Sequence, residues 1–434
     1  MDYGRDESGR LGDGRHGGNK DAERTERQLS YARRCPYHKD AARTAILSST
    51  WRRHWRSIPQ LVFHDDGFAT RRFDGSRIAP NKLILNIYKS LLVHEGPIAK
   101  FVLAVPGMTP CNEIDHIVLH LCSRGVQELT LVFSREAIVN LYYKLPSSLF
   151  SSTAALHLNR LKLGCCLFSE PPWFVGFSKV TDLELCRVSL QADFFENFLP
   201  KCPLLQYLVM DNCSGIEKLE LDAPRLKMFS FAGDYQLQEF CFKSAPLLVV
   251  LILNLDVVQK VNQLVASFAS LPALQNLCLL SDPINFLLIS RPRALFDSFE
   301  MERLLVCLIM SSPNLQTLII RREVSPLLED RPADSLATGI GRLLEEEEHH
   351  SGGGPPPCLQ QLREFAIEGG LGAPLDLELA RFVLATAPQL VKIQIRPSRL
   401  LCYDDVTKFM KEVMRCKRVS SEVRVVYAWD GEQD

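Results

Sequence analysis

Cysteine, histidine and carboxylate clusters are the groups in this sequence best suited to chemistry. Cys35 and His38 in "CPYH" have the two-residue gap that zinc ligands use, but no second pair follows at a suitable distance, so a turn is favoured. The tract "EEEEHHSGGGPPP" at 345–357 sets histidines beside glutamates, yet its glycines and prolines deny it a fixed ligand geometry. We therefore predict that the chain has no metal site.

The residues that could act in catalysis are also spread along the sequence and do not form a recognisable catalytic motif. Cys165 and Cys166 follow an apolar run, which favours a buried pair over a redox centre. The aspartate pairs at 65–66 and 404–405 fit turn and helix-cap positions. The sequence also lacks the glycine-rich phosphate loops, the nucleophile elbow and the H-E-x-x-H zinc motif. These observations predict a chain that is not an enzyme and that uses no cofactor.

Composition limits the partners. The chain has 434 residues, of which 46% are hydrophobic and 23% are charged, and its net charge is −1. It therefore has no overall field that would gather nucleic acid or an anionic membrane. The N-terminus is charged and glycine-rich, unlike a secretory signal, and the 14 cysteines are scattered rather than spaced as a disulfide framework. We expect a reducing compartment, the cytosol or the nucleus, and no membrane span.

A short apolar pattern dominates the rest of the sequence: apolar, two variable, apolar, one variable, apolar. This is the L-x-x-L-x-L phase of a leucine-rich repeat, in which the last three positions form a strand. The pattern predicts an α/β solenoid. The copies are "IAKFVL" at 98, "VQELTL" at 126, "LNRLKL" at 158, "VTDLEL" at 180, "LQYLVM" at 205, "IEKLEL" at 216, "LKMFSF" at 226, "LQEFCF" at 237, "LVVLIL" at 248, "LQNLCL" at 274, "LQTLII" at 315, "LREFAI" at 362 and "LVKIQI" at 390.

The spacing of the copies varies along the chain. Between 205 and 253 they follow one another every ten or eleven residues, about half of a leucine-rich repeat. This spacing predicts strands on both sides of the solenoid and no helices there. Wider gaps elsewhere leave room for helices, which we expect at 257–271, 294–310 and 404–416.

The variable residue between the two strand apolar positions should point to solvent and form a ladder on the concave face. Its mixed apolar, small and charged character would suit a protein or small-ligand partner better than a phosphate backbone. The alternative for each position is a solvated side chain with no role. The predicted ladder consists of Lys162, Glu184, Val209, Ser230, Cys278 and Ile319.

Five segments follow from these patterns. They are a disordered tail at 1–34, a short helical segment at 35–66, the repeat solenoid at 67–330, an acidic and Gly/Pro-rich linker at 331–357, and a C-terminal region at 358–434 that continues the solenoid with strand, helix and strand. In the second segment, "KDAARTAILSSTWRRHWRSIPQLVFHDD" at 39–66 resembles the second half of a plant-type F-box. The repeats resemble the leucine-rich region of the same proteins, and "LELARFVLATAPQLVKIQI" at 377–395 resembles their FBD segment.

The resemblance to the plant F-box/FBD/LRR-repeat family implies that the chain is a substrate-recognition adaptor of a ubiquitin ligase. F-box helices dock on a Skp-type adaptor of a cullin-based ubiquitin ligase, and the repeats hold a target protein, which the sequence does not name. Leu47, Trp51 and Trp55 would either pack the F-box helices together or reach the adaptor, with packing favoured for the tryptophans. The family's preceding Leu-Pro helix has no counterpart before Lys39, so the F-box is partial. Alternatives are a stand-alone repeat scaffold and a small-ligand receptor or enzyme.

Overall fold

The computed structural model shows an α/β solenoid whose parallel strands stack into one long sheet. It describes residues 55–64, 80–104, 111–133, 142–232, 239–254, 268, 271–281, 309, 311–322, 359–369, 374–397 and 403–427. The predicted tail (1–34) and linker (331–357) lie outside the described residues. So do Leu47, Trp51 and nearly all of the helices predicted at 257–271 and 294–310.

Each copy of the repeat pattern forms a strand. The strands are β1 (Gln60–His64), β2 (Lys100–Ala104), β3 (Glu128–Val132), β4 (Tyr143–Lys144), β5 (Arg160–Gly164), β6 (Cys166–Leu167), β7 (Asp182–Cys186), β8 (Tyr207–Asp211), β9 (Lys218–Asp222), β10 (Met228–Ala232), β11 (Glu239–Ser244), β12 (Val250–Asn254), β13 (Asn276–Ser281), β14 (Thr317–Arg322), β15 (Glu364–Gly369), β16 (Lys392–Pro397) and β17 (Arg424–Tyr427). The main sheet has 13 strands in the order β1-β2-β3-β5-β7-β8-β10-β12-β13-β14-β15-β16-β17, and neighbouring strands run parallel.

The side of the solenoid opposite the main sheet is formed by small sheets in some turns and by helices in others. Two small sheets, β4 with β6 and β9 with β11, cover part of it. The strands of the second small sheet alternate in the chain with β8, β10 and β12, so the prediction of strands on both sides between 205 and 253 is confirmed. Helices cover other parts: α1 (Pro80–Leu92), α2 (Glu113–Ser123), α3 (Ser152–His157), α4 (Pro374–Thr386) and α5 (Tyr403–Arg415), with short 3-10 turns at Trp55–Ser57, Ser147–Phe150 and Leu199–Lys201 and a π-turn at Phe194–Phe198.

Alternating side chains build the core. In β8, Leu208 and Met210 are buried while the residues between and beside them are more exposed, which is the period of two that a half-buried strand requires. Helix α2 buries Ile114, Ile117 and Leu121, a spacing that keeps one helical face against the sheet. Phenylalanines fill the centre of the middle turns, where Phe168 and Phe198 meet edge to face at 4.7 Å.

Prolines shape the turn before many strands. In "CPLL" the amide of Leu205 donates to the carbonyl of Cys202 at 3.1 Å, so Pro203 occupies the second position of a β-turn. The same bond joins Leu226 to Ala223 and Leu248 to Ala245. Proline fits this position because its fixed φ suits the turn and its missing amide is not needed there.

The turns after three successive strands use the left-handed region with residues other than glycine. Cys165, Arg187 and Asn212, which follow β5, β7 and β8, have φ of 55°, 53° and 50°. Each donates its amide to the next coil turn, as Arg187 does to Asp211 at 2.7 Å. The residue that follows each of them points inward, and the Cys213 thiol donates to the carbonyl of Leu185 at 3.5 Å, as the N/C position of the repeat predicts.

The main sheet begins earlier than the predicted solenoid start at residue 67. Strand β1 pairs in register with β2, Leu61 beside Phe101, although it lies in the segment assigned to the partial F-box. The signal was in the sequence, since "IPQLVF" at 58–63 repeats the apolar spacing of the other copies. At the C-terminal end β15, α4, β16, α5 and β17 form the expected strand and helix alternation.

Candidate partner-binding face

The six residues of the predicted ladder all lie along one row of the sheet. Strand register places Lys162 beside Glu184, Glu184 beside Val209 and Val209 beside Ser230. Further along, Cys278 lies beside Ile319. In solenoids of this type the strands line the inner side of the coil. All six side chains are half-buried on the side of the sheet that faces away from the core, which we call the solvent face.

The predicted ladder leaves out several members of this row, among them Val102 and Thr130 at one end, Ala366 and Gln394 at the other, and Ile252 in the middle. Ile252 lies between Ser230 and Cys278 and continues the row across β12. Its position in "LVVLIL" is the same as that of the other ladder residues in their copies, so the repeat pattern itself could have found it.

Two more rows flank the ladder, one at the first residue of each strand and one at the fifth. Together the rows divide the solvent face into three zones of different charge. The first-residue row contains Lys100, Glu128, Arg160, Asp182, Tyr207, Met228, Val250, Asn276, Thr317, Glu364, Lys392 and Arg424.

The zone on β2 to β7 carries charges that neutralise one another. Lys100 contacts Glu128 at 2.9 Å, and Arg160 lies 4.0 Å from Glu128 and 3.6 Å from Asp182. In the ladder, Lys162 and Glu184 form an ion pair. Opposite charges on neighbouring strands support the sheet register, and because each has a partner, this zone offers little net charge to a ligand.

The zone on β8, β10, β12, β13 and β14 is uncharged in its first two rows. We call this zone the uncharged window, and it consists of Tyr207, Val209, Met228, Ser230, Val250, Ile252, Asn276, Cys278, Thr317 and Ile319. Tyr207 is 41% exposed, and the other side chains are half-buried. In the third row, Asp211 stands at one end of the window and Arg321 at the other.

The zone on β14 to β17 carries a basic surplus. The carboxylate of Glu368 holds two guanidinium groups, Arg321 at 2.6 Å and Arg396 at 3.2 Å. Glu368 is only 12% exposed, so its carboxylate is held between two guanidinium groups at the edge of the window. Lys392 and Arg424 extend the surplus along the first-residue row.

Among the residues that the structure describes, the thiols of Cys186 and Cys278 lie on the solvent face. Burial raises the pKa of Cys278, despite the opposing field of Arg321. Burial also raises the pKa of Cys186, whose thiol donates to Asp211 at 3.3 Å and is further held neutral by that carboxylate. Both thiols are therefore poor nucleophiles at neutral pH.

The structure also places several of the other candidate residues named from the sequence. Cys165 and Cys166 are both buried, as predicted, and burial raises the pKa of Cys166. Trp55 lies in a 3-10 turn that leads into β1, and Leu47 and Trp51 remain outside the described residues. Within the described ranges, no group of three or more His, Cys, Asp or Glu side chains is placed to hold a metal ion.

Among the helices that the structure describes, none is both long and apolar enough to cross a bilayer.

The parallel sheet, the repeat-spaced core and the continuous solvent row define a leucine-rich-repeat protein. Residues 114–293 match the family model for the leucine-rich repeats of the FBD-associated F-box protein At5g56370. The chain is 26% identical over 419 residues to the F-box/FBD/LRR-repeat protein At1g13570 of Arabidopsis thaliana, covering 90% of this chain and 94% of that protein.

A second Arabidopsis relative, the F-box/FBD/LRR-repeat protein At2g04230, is 31% identical over 183 residues, or 41% of this chain and 39% of the relative. The chain thus spans nearly all of one relative and about two-fifths of the other. These findings confirm the resemblance, predicted from the sequence, to the plant F-box/FBD/LRR-repeat family.

Proposed function

We propose that the chain is a non-catalytic substrate-recognition adaptor of a cullin-type ubiquitin ligase. In this role the segment at 35–66 docks on a Skp-type adaptor, and the solvent face of the sheet holds the protein to be ubiquitinated. The observation that carries the proposal is the unbroken row of solvent-facing side chains across the sheet, with a large uncharged window in its middle. Such a surface suits protein recognition and supplies no catalytic group.

A specific departure from the family pattern favours a second candidate, a stand-alone repeat scaffold without adaptor docking. Before Cys35, "DAERTERQLSYARR" offers only Leu29 and Tyr31 as sizeable apolar residues, where the family has an apolar Leu-Pro helix. Burial of four or five large side chains, each worth roughly 1.5–3 kcal/mol, would be missing from the docking module. The C-terminal β15-to-β17 region, which we assign to the FBD unit, is the same in both candidates.

Adaptor binding separates the two candidates. The full chain, a Leu47→Asp variant and a version with an apolar Leu-Pro helix in place of residues 21–38 would each be tested in a pull-down with a purified Skp-type adaptor. An Ile252→Asp variant serves as the control, because it alters the solvent face and leaves the docking segment intact.

Under the ligase proposal the natural chain and Ile252→Asp both retain the adaptor, and Leu47→Asp loses it. Retention by the restored version alone would establish the stand-alone scaffold. Loss of binding in every version would overturn the ligase proposal altogether.

A further inference from the structure

We infer that the contact between the Trp55–Ser57 turn and the loop at 94–96 is a pH-sensitive junction, which is closed at neutral pH and opens in mild acid. Its sensors are His94 and His120, which must both stay uncharged for the junction to remain closed. The inference rests on the proposed function for its biological meaning, since the turn lies within the segment to which we assign adaptor docking and leads into β1.

Backbone hydrogen bonds build the junction. The amides of Glu95 and Gly96 both donate to the carbonyl of Arg56, at 2.8 Å and 3.4 Å. Gly96 lies so close to the turn that a Cβ atom at this position would come within 2.9 Å of the Ser57 Cα. The turn is therefore seated directly on the loop, with no space for a side chain between them.

His94 holds the junction from the inside. Its side chain is 3% exposed, and its Nε2 lies 2.8 Å from the carbonyl oxygen of Ile58. A carbonyl only accepts hydrogen bonds, so Nε2 carries the proton of the neutral ring and Nδ1 is the unprotonated nitrogen. Nδ1 is buried, and no described residue supplies it with a hydrogen-bond partner. Protonation at Nδ1 would therefore create a buried charge whose new N–H has no acceptor, which is unfavourable.

Groups on the neighbouring elements oppose a charge on either histidine. Arg124 follows α2, and its guanidinium donates to the last carbonyl of the loop at 3.4 Å. Burial, Arg124 and His94 all lower the pKa of His120, whose Nε2 is buried without a hydrogen-bond partner among the described residues. In the turn, Arg56 is paired with Glu95 at 3.2 Å, so this carboxylate is already engaged.

The direction of the pH effect follows from these contacts. The pKa of His120 in the closed junction is lower than the value of about 6.5 for a solvated histidine, so the open state takes up the proton first. The stabilising contribution of the neutral ring is complete above about pH 6.5 and is lost as the pH falls below that value. Each histidine that stays neutral only in the closed state shifts the opening equilibrium by up to about tenfold per pH unit.

Hydrogen exchange of the full chain at about pH 7.5 and about pH 5.5 tests the inference, with rates corrected for the intrinsic pH dependence of amide exchange. The reporters are the amides of Glu95 and Gly96, which are bonded across the junction. The amides of β16 are the internal reference, because residues 358–434 contain no histidine.

Five variants sharpen the test. His94→Gln keeps a donor for the Ile58 carbonyl but cannot be protonated, and His120→Gln removes the second sensor; the double variant removes both. His116→Gln is the matched control, because His116 is exposed on the same helix. Gly96→Ala forces the loop away from the turn and shows the exchange rate of an open junction. Thermal unfolding checks that each variant keeps its fold.

In the natural chain, the lower pH should raise the corrected exchange rate of the junction amides about tenfold to a hundredfold relative to β16. Each single variant, His94→Gln or His120→Gln, should reduce this rise, and the double variant should limit it to about twofold. His116→Gln should behave like the natural chain. Gly96→Ala should exchange rapidly at both pH values.

Three outcomes would overturn the inference: no rise in the natural chain, an undiminished rise in the double variant, or an equal rise in β16, which would indicate global unfolding. If His94→Gln loses protection at neutral pH, His120→Gln decides alone, because the rise must still shrink in that variant. The measurement needs no adaptor, so failure of the pH-sensitive junction is distinguishable from failure of adaptor docking.

Discussion

The middle and the C-terminal end of the solenoid share one sheet but are backed by different elements. In the middle, the sheet strands β8, β10 and β12 alternate with β9 and β11, which form a small sheet on the opposite side. At the C-terminal end, the strands β15, β16 and β17 alternate with the helices α4 and α5. The solvent face nevertheless runs through both regions in unbroken register.

Chain length per coil turn explains the difference. One turn takes the chain from Tyr207 to Met228 in the middle, but from Glu364 to Lys392 at the C-terminal end. The shorter turn has room for a second strand, whereas the longer one accommodates a helix of 13 residues. The backing of the sheet can therefore vary while the solvent face stays regular, which means that the two can be changed separately.

The largest expected effect comes from removing an aromatic ring between the two sheets of the middle region. Phe229 is fully buried and lies beside Phe231 and Phe242, at centroid distances of 6.1 Å and 6.3 Å. We expect Phe229→Ala to lower the free energy of unfolding by about 3–5 kcal/mol, because it leaves a cavity between two rigid sheets. Urea denaturation measures the change. Phe229→Leu, which fills more of the space, should cost less than half as much.

A core change at the C-terminal end should act more locally. Leu379 in α4 is fully buried against the sheet, and we expect Leu379→Ala to cost about 2–4 kcal/mol. Because repeats contact mainly their neighbours, hydrogen exchange should accelerate in β15 to β17 while β8 to β12 stay protected. The exposed Arg381→Ala in the same helix is the control. Equal acceleration in both regions would show that the solenoid unfolds as one unit.

Alkaline pH should weaken the region around β7 and β8. Burial raises the pKa of both Cys202 and Cys213 to about 12, whereas a thiol in the unfolded chain has a pKa of about 8.5. The folded state therefore keeps these protons longer, so their stabilising contribution is complete below about pH 8.5 and is lost as the pH rises towards 12. The loss should reach up to about 1.4 kcal/mol per pH unit per thiol.

Urea denaturation at pH 8 and at pH 10.5, under reducing conditions, measures this loss. Cys213→Ala should be less stable at pH 8 and should show a shallower decline with pH. An unchanged decline in this variant would show that other groups cause the alkaline sensitivity.

The smallest expected effect concerns the solvent face outside the window. Lys162 and Glu184 form an ion pair with side chains that are 42% and 41% exposed. We expect Lys162→Met to change the free energy of unfolding by no more than about 1 kcal/mol, because solvent screens exposed pairs. Thermal unfolding in low and high salt checks this. A larger loss would mean that the pair determines strand register.

The strands could be predicted from the sequence because the apolar pattern of each one is contained in about six consecutive residues. The two-sided middle region was predictable from residues such as Leu208, Leu219 and Phe229, whose spacing is half of a repeat. The charge zones were not predicted, because they depend on which strands become neighbours and on the first and fifth strand positions. The sharing of Glu368 by Arg321 and Arg396 joins residues from three strands far apart in the chain. No local pattern contains that information.

The single long sheet also has a mechanical consequence. Its strands lie side by side along the coil, so a force that draws the two ends of the coil apart loads the hydrogen bonds between one pair of strands at a time. The bonds would open in sequence, as in a zipper, rather than all together in shear. Under tension the solenoid should therefore lengthen in small steps at low force, starting from its terminal strands β1 and β17.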